Sequence, residues 1–198
     1  MLKLGAAMLD KPELERRAKL IVTECDGIQP IFIAFYIEAI YYAAERAEVA
    51  FANFAEGAKL AQSASATVAS AQEALGHAAA LSRFFFPVEK KALPRARGAR
   101  LRQLFAVSNN SPLQNRELRN AIEHFDERLD EYLLGDIAGY ILPSPMVEDS
   151  DFADETLGHV FRLVDPKTKT FVLLGKKYPF GPMHYEITRI AELSRAMR

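Results

Sequence analysis

Apolar residues recur at three- and four-residue intervals along most of the first two thirds of the chain. They then give way to short Val-, Phe- and Leu-rich runs before one last helical stretch. The first pattern predicts amphipathic helices, the second strands. Residues 11–24 read as a helix, with Asp10 as N-cap and Pro12 in the first turn, where its missing N–H costs nothing. Ala18, Ile21 and Val22 form its stripe, and Cys25-Asp26-Gly27 ends it. Residues 30–56 follow as a second helix. Phe32, Phe35, Tyr36, Ala39, Ile40, Ala43, Ala47, Ala50, Phe51 and Phe54 recur there at helical spacing. Its first half is apolar nearly all round, which predicts the central helix of a bundle, with the aromatic row as core.

Gly57 is expected to break the chain before a third helix over 58–85, rich in Ala and Ser, whose small side chains permit close approach. Two helices joined so briefly should lie antiparallel. Phe84, Phe85, Phe86 and Pro87 close the third helix as an apolar plug. Residues 83–102 read as a loop punctuated by Pro94 and Gly98, leading into a short helix over 99–105. Residues 111–133 then read as one long amphipathic helix, with Ser111 as N-cap, Pro112 at the first helical position and Gly135 past its end. A Pro-rich, then acidic, loop over 141–158 precedes a hairpin. Its arms are 159–164 and 170–174, around a turn that begins Asp165-Pro166. Residues 176–182 read as loop and 183–197 as a terminal helix with Ile187, Ile190, Ala191 and Leu193 inward. The expected fold class is mainly α: an antiparallel helical bundle over 1–137, with a small C-terminal β-hairpin and terminal helix over 138–198 packed on it.

Charge and composition narrow this further. The chain has 198 residues, 25 Lys and Arg against 26 Asp and Glu, and 49% hydrophobic residues, enough for a core and too balanced for a chain that coats nucleic acid. Cys25 is the only cysteine, which excludes an intramolecular disulfide framework and fits a reducing cytoplasm. The apolar run over 31–44 contains Glu38 and falls short of the ~20 residues needed to span a bilayer, and the N-terminal apolar run is too short for a signal peptide. No membrane role is expected. His77, His124, His159 and His184 lack zinc spacing, and Glu73 and His77 miss the Glu-x-x-His spacing of bundle di-metal sites. There is no GxGxxG or Walker pattern, so neither metal nor cofactor is expected.

The candidate chemistry lies on the 111–133 helix. Leu118, Ile122, Phe125, Leu129, Tyr132 and Leu133 make its apolar face. Arg119, Glu123 and Asp126 occupy one polar flank; Arg116, Asn120, His124 and Arg128 occupy the other. Asn120 can therefore orient His124. Arg119 and His124 lie about 140° apart on a straight helix and converge only if the Arg side chain wraps or a second copy of the helix faces the first. Read blandly, Arg119 forms a surface cluster with Glu123 and Asp126, and His124 is solvated.

Arg119-Asn120-x-x-x-His124 on a late helix of an α-bundle resembles the Arg-x4–6-His motif of HEPN domains. Residues 76–87, Arg97-Gly98, Leu101-Arg102 and residues 118–130 are similar to a group of uncharacterised bacterial HEPN-like proteins, and the likeness covers roughly 30–134. The resemblance implies a homodimeric, metal-independent endoribonuclease whose two motifs face one cleft. His124 would serve as general acid and base, Arg119 would hold the scissile phosphate, and Asn120 would orient either. Arg83, Arg97, Arg100 and Arg102, with Arg116 and Arg128, would bind RNA, and Phe84 to Phe86 would offer stacking. The alternative is a non-catalytic helical scaffold for a protein or nucleic-acid partner. In that case the basic segment pairs with the acidic stretch over 123–155, and Glu123, Asp126 and Glu127 repel a polyanion.

Overall fold

A computed structural model of the chain describes residues 10–135, 139–155 and 158–198. The expected domain boundary at 137/138 and the reading of the N-terminal run lie outside the described residues. The fold is mainly helical with small C-terminal β-sheets and a terminal helix.

Helix α1 (Lys11–Cys25) starts as expected, with Asp10 Oδ1 accepting the Glu13 N–H at 2.9 Å. It ends on Asp26 in the left-handed region and on Gly27 at φ 87°. A Cβ on Gly27 would stand 2.3 Å from the backbone nitrogen of Arg97, so only glycine lets the exit of α1 lie against the fourth helix.

A 3-10 turn (Pro30–Phe32) leads into α2 (Ile33–Lys59), and α3 (Ala64–Phe85) returns antiparallel to it, Arg46 meeting Glu73 and Gly57 meeting Thr67. The break falls at 60–63 rather than at Gly57. Gly57 is helical and buried, and a Cβ there would meet the Thr67 hydroxyl at 3.0 Å. Its missing side chain serves close approach, while Ser63, accepting from Ala66 N, caps the new helix. The expected all-round burial of early α2 is also corrected. Ile40, Ala43, Ala44, Ala47, Ala50, Phe51 and Phe54 are buried, yet Ile31 is 78% exposed, Phe35 72% and Tyr42 63%. Only the face toward α3 and the terminal helix is covered.

Helix α4 (Ala92–Leu104) starts seven residues earlier than expected. Pro94 sits in its first turn, where a backbone N–H has no helical acceptor to lose. Gly98 faces Pro87 and the Phe85 carbonyl so closely that a Cβ would be 2.8 and 2.9 Å away.

The single helix expected over 111–133 is three pieces. Ser111 accepts from Leu113 N at the head of a 3-10 turn (Pro112–Gln114), then come α5 (Glu117–Glu123) and α6 (Phe125–Leu133). His124 stands between them at φ −111°, ψ 42°, outside helical geometry.

The hairpin forms as β4 (Arg162–Asp165) and β5 (Thr170–Leu173), with Asp165 opposite Thr170. It is one part of a larger structure. β6 (Lys176–Pro179), expected as loop, pairs antiparallel with β5, and β2 (Met146–Val147) pairs parallel with β4. Separately, β1 (Tyr140–Leu142) pairs parallel with β3 (Gly158–Val160), and a single turn, α7 (Phe152–Glu155), lies between β2 and β3. Asp165 is buried and closes the β4–β5 turn. Its Oδ1 accepts the N–H groups of Lys167 (2.9 Å) and Thr168 (3.2 Å); its Oδ2 accepts Ser150 N–H (3.1 Å) and the Thr168 hydroxyl (2.6 Å).

The terminal helix α8 (Gly181–Met197) buries Met183, Ile187, Ile190 and Ala191 against α2. Val164, Phe171, Leu173, Tyr178 and Phe180 join the same core as the helices, with Phe180 stacked on Phe51 at 5.6 Å. Val160, Leu163 and Val172 form a small second cluster on the other face of the sheet. No single helix among the described residues is long and apolar enough to cross a membrane.

Candidate functional site

Asn115 Oδ1 accepts the Glu117 N–H at 2.9 Å and so starts α5, which turns Leu118 and Ala121 into the core. Arg119 lies beside them and is only 5% exposed. Its Nη1 is 3.4 Å from the Ser82 oxygen, a hydroxyl whose own proton goes to the Ala79 carbonyl at 2.8 Å and which is therefore free to accept. The Arg119 Nε has no hydrogen-bond partner, and no carboxylate among the described residues lies within ion-pair distance of this guanidinium. Burial lowers its pKa, Glu123 opposes that, and Arg116 and Arg83 add to it. The guanidinium is a cation at neutral pH, since arginine does not give up its proton in proteins. A buried cation without a counter-charge is costly unless something anionic completes it.

Arg119 faces a cleft of about 450 Å³ that Asn120 and His124 also line, together with Arg83, Arg97 and Glu123. All three motif residues thus reach one cleft within a single chain. The expectation that the two converge only through a wrapping Arg side chain or a second copy assumed a straight helix, and the backbone at His124 is not helical. The reading of Arg119 as part of a surface acid cluster is corrected as well. Glu123 is ion-paired to Arg83, which comes from α3. Arg97 donates to the Arg83 carbonyl at 3.3 Å, and its own buried Nε has no partner. His124 is more than half exposed, with Nδ1 3.5 Å from Glu127 Oε1.

The remaining arginines separate. Arg116 sits at the edge of the cleft, donating to the Pro87 carbonyl at 3.4 Å. Arg100 is exposed on α4, away from the cleft lining. Arg102 is tied to the Phe85 carbonyl and lies over the Phe86 ring, 5.2 Å from its centroid. Arg128 lines a different groove of about 290 Å³ with Tyr132, Lys176 and Tyr178. Phe85 and Phe86 are buried, Phe85 edge-on to Phe105 at 5.7 Å, which makes them core rather than a stacking surface.

Ser82 was not legible as a partner of Arg119. The available signal was its place on the buried stripe of α3, where a hydroxyl among Ala78, Leu81 and Phe85 calls for an explanation. Among the described residues, no group of three or more His, Cys, Asp or Glu side chains could hold a metal ion. The cleft is lined by the Arg83, Arg97 and Arg119 side chains, an amide and an imidazole, a set that can bind an oxyanion and move a proton beside it.

No protein-family model, curated protein or solved structure matches the chain.

Proposed function

We propose that the protein is a HEPN-like homodimer that cleaves RNA without a metal ion, in the cleft lined by Arg119, Asn120 and His124. The observation that carries the reading is the Arg119 guanidinium, buried at the wall of this cleft with no ion-pair partner among the described residues, whose charge a phosphodiester in the cleft would answer. Arg119 and Arg97 bind the non-bridging oxygens. The His124 imidazole takes the proton of the ribose 2′-hydroxyl as its oxygen attacks phosphorus. The P–O5′ bond breaks, and the departing oxygen is protonated by the His124 of the second protomer. The products are a 2′,3′-cyclic phosphate and a 5′-hydroxyl. Arg83 and Arg116 lie at the rim for the neighbouring backbone, while Arg100 and Arg128 are not among the residues that line the cleft.

A mixed RNA substrate in excess chelator, given to the parent, His124→Ala and Asn120→Ala, tests this. Loss of a general base is expected to slow cleavage at least ~100-fold in His124→Ala. Equal background from parent and variant would leave the second reading, a non-catalytic binding protein. That reading has an observation of its own: Glu123 neutralises Arg83 and Glu127 stands beside His124 at the cleft mouth.

The dimer has a surface to form on. Phe35, Tyr42 and Val49 are exposed and recur every seven residues along α2, with Ile31 exposed in the 3-10 turn before it. A seven-residue apolar repeat is a seam for another helix. The parent should sediment as a dimer at micromolar concentration and Phe35→Glu as a monomer. A monomeric parent would remove both the dimer and the second His124 from the mechanism.

A further inference from the structure

A second cleft, of about 460 Å³, lies between the C-terminal part of α2 and the β4–β5 turn. Its size falls within the roughly 300–1,000 Å³ of small-molecule sites. Lys59, Lys167 and Lys169 converge on it, no carboxylate lines it, and none of the three lysines has an ion-pair partner among the described residues. Three like charges around one concavity repel each other unless an anion joins them.

The turn is built to keep two of the lysines in place. Asp165 holds the Lys167 and Thr168 amides, and the Lys169 carbonyl accepts the Phe180 N–H at 2.8 Å. Lys169 occupies φ 52°, a left-handed position that disfavours a non-glycine residue by about 1 kcal/mol. A lysine kept where glycine would be easier suggests that its charge is used there.

The rest of the wall suits a flat ring. The His184 imidazole is half-buried, stacked 4.3 Å from Phe51 and 6.2 Å from Tyr185, whose ring is 70% exposed. The Lys169 ammonium stands 4.8 Å from the centre of the Tyr185 ring. Ala55 and Ala58 leave the opposite side open. Burial, then Lys169, lowers the pKa of His184. The ring is therefore neutral at pH 7 and offers one donor and one acceptor.

We propose that this cleft binds a mononucleotide. The phosphate sits among Lys59, Lys167 and Lys169, and the base packs against the Phe54, Phe180 and His184 side of the cleft. The dianionic phosphate answers the lysines, and the base has both an apolar face to pack and an edge to pair with the imidazole. The site does not depend on the ribonuclease reading.

Isothermal titration of the full chain at low salt with adenosine 5′-monophosphate, adenosine and inorganic phosphate decides it. The nucleotide should bind at least tenfold more tightly than either fragment. Lys167→Ala and Lys169→Gly should each weaken it roughly tenfold, and Arg119→Met should not change it. Lys169→Gly suits the left-handed backbone, so its loss of binding would not reflect unfolding. The proposal is overturned by no nucleotide binding, by equal binding of the nucleotide and either fragment, or by binding that fails in Arg119→Met and survives in the lysine variants.

Discussion

Arg119→Met is expected to make the fold more stable and the cleft inert. The guanidinium is buried, one donor goes to a neutral hydroxyl, and Nε has no partner. Folding therefore removes a cation from water with no carboxylate of the described residues in ion-pair contact, Glu123 acting only at longer range. Methionine fills similar space with no polar atom to leave unsatisfied. Replacing buried charge by a packed apolar side chain commonly stabilises by roughly 1–4 kcal/mol, and a gain in the lower half of that range is expected in urea unfolding. RNA turnover should fall by ~100- to 1,000-fold, as when one transition-state donor is removed. The two readouts must move in opposite directions, as they do where stability has been traded for a site. A variant that unfolds more easily than the parent would mark Arg119 as a strut bound to Ser82, and the oxyanion reading would lose its main support.

Asp165→Ala is expected to destabilise by about 3 kcal/mol. Four donors converge on this buried carboxylate, from Ser150, Lys167 and twice from Thr168, and alanine leaves them without an acceptor. The same residue sets an acid limit. Burial alone raises its pKa, but the hydrogen bonds from Thr168, Ser150 and Lys167 outweigh it, and the net shift is downward. A lowered folded-state pKa means stability fully present above the unfolded value of about 3.9 and lost as pH falls through the folded value. Melting temperature should therefore drop on acidification below about pH 4, and the part due to this carboxyl should be absent in Asp165→Asn. An identical acid dependence in parent and Asn variant would assign the loss to other carboxylates.

Much of the helical architecture was legible because it is written locally. The Asp10 cap, the antiparallel α2–α3 pair and the inner stripe of α8 each rest on residues within a few turns of one another. The β4–β5 hairpin was legible for the same reason. Its neighbour β6 was not, because Leu174 and Gly175 turn the chain with φ values of 50° and 72°. That is the conformation of a type I′ turn without its usual Asn-Gly sequence. The short parallel pairs β1–β3 and β2–β4 depend on partners that no local pattern names. Periodicity likewise showed that early α2 is apolar all round, but could not separate the side that meets α3 from the side left facing solvent.

The geometry expected for the motif rested on one straight helix over 111–133, and the chain departs from it at His124. Asn120 and His124 fall together, as their spacing requires, but Arg119 was placed among Glu123 and Asp126 on a solvated flank. Glu123 instead pairs with Arg83, forty positions earlier in the chain, and Arg119 turns inward to Ser82. Nothing in 111–133 announces the break at His124, where neither glycine nor proline stands. Its cause is tertiary: α5 is held by buried Leu118 and Ala121, while the Phe125 ring is engaged by Arg162, 4.5 Å from its centroid.

That break divides the cleft into parts with different free energies of local opening. α5 is anchored in the common core, so Arg119 is released only when much of the protein unfolds. α6 has no fully buried residue; Phe125 packs partly buried on the core and under Arg162 of β4, and the Tyr132 ring meets His159 and Phe161 edge-on. Beyond Phe125 it opens at less cost than α5, since none of its side chains is fully buried. On the proposed reading, the half that would hold phosphate is fixed in advance, and the half that would transfer the proton is set by what binds. A ligand that reaches from Arg119 to His124 gains affinity in proportion to the fraction of α6 already in place. Changes that order α6, far from either residue, would tighten binding without adding a contact.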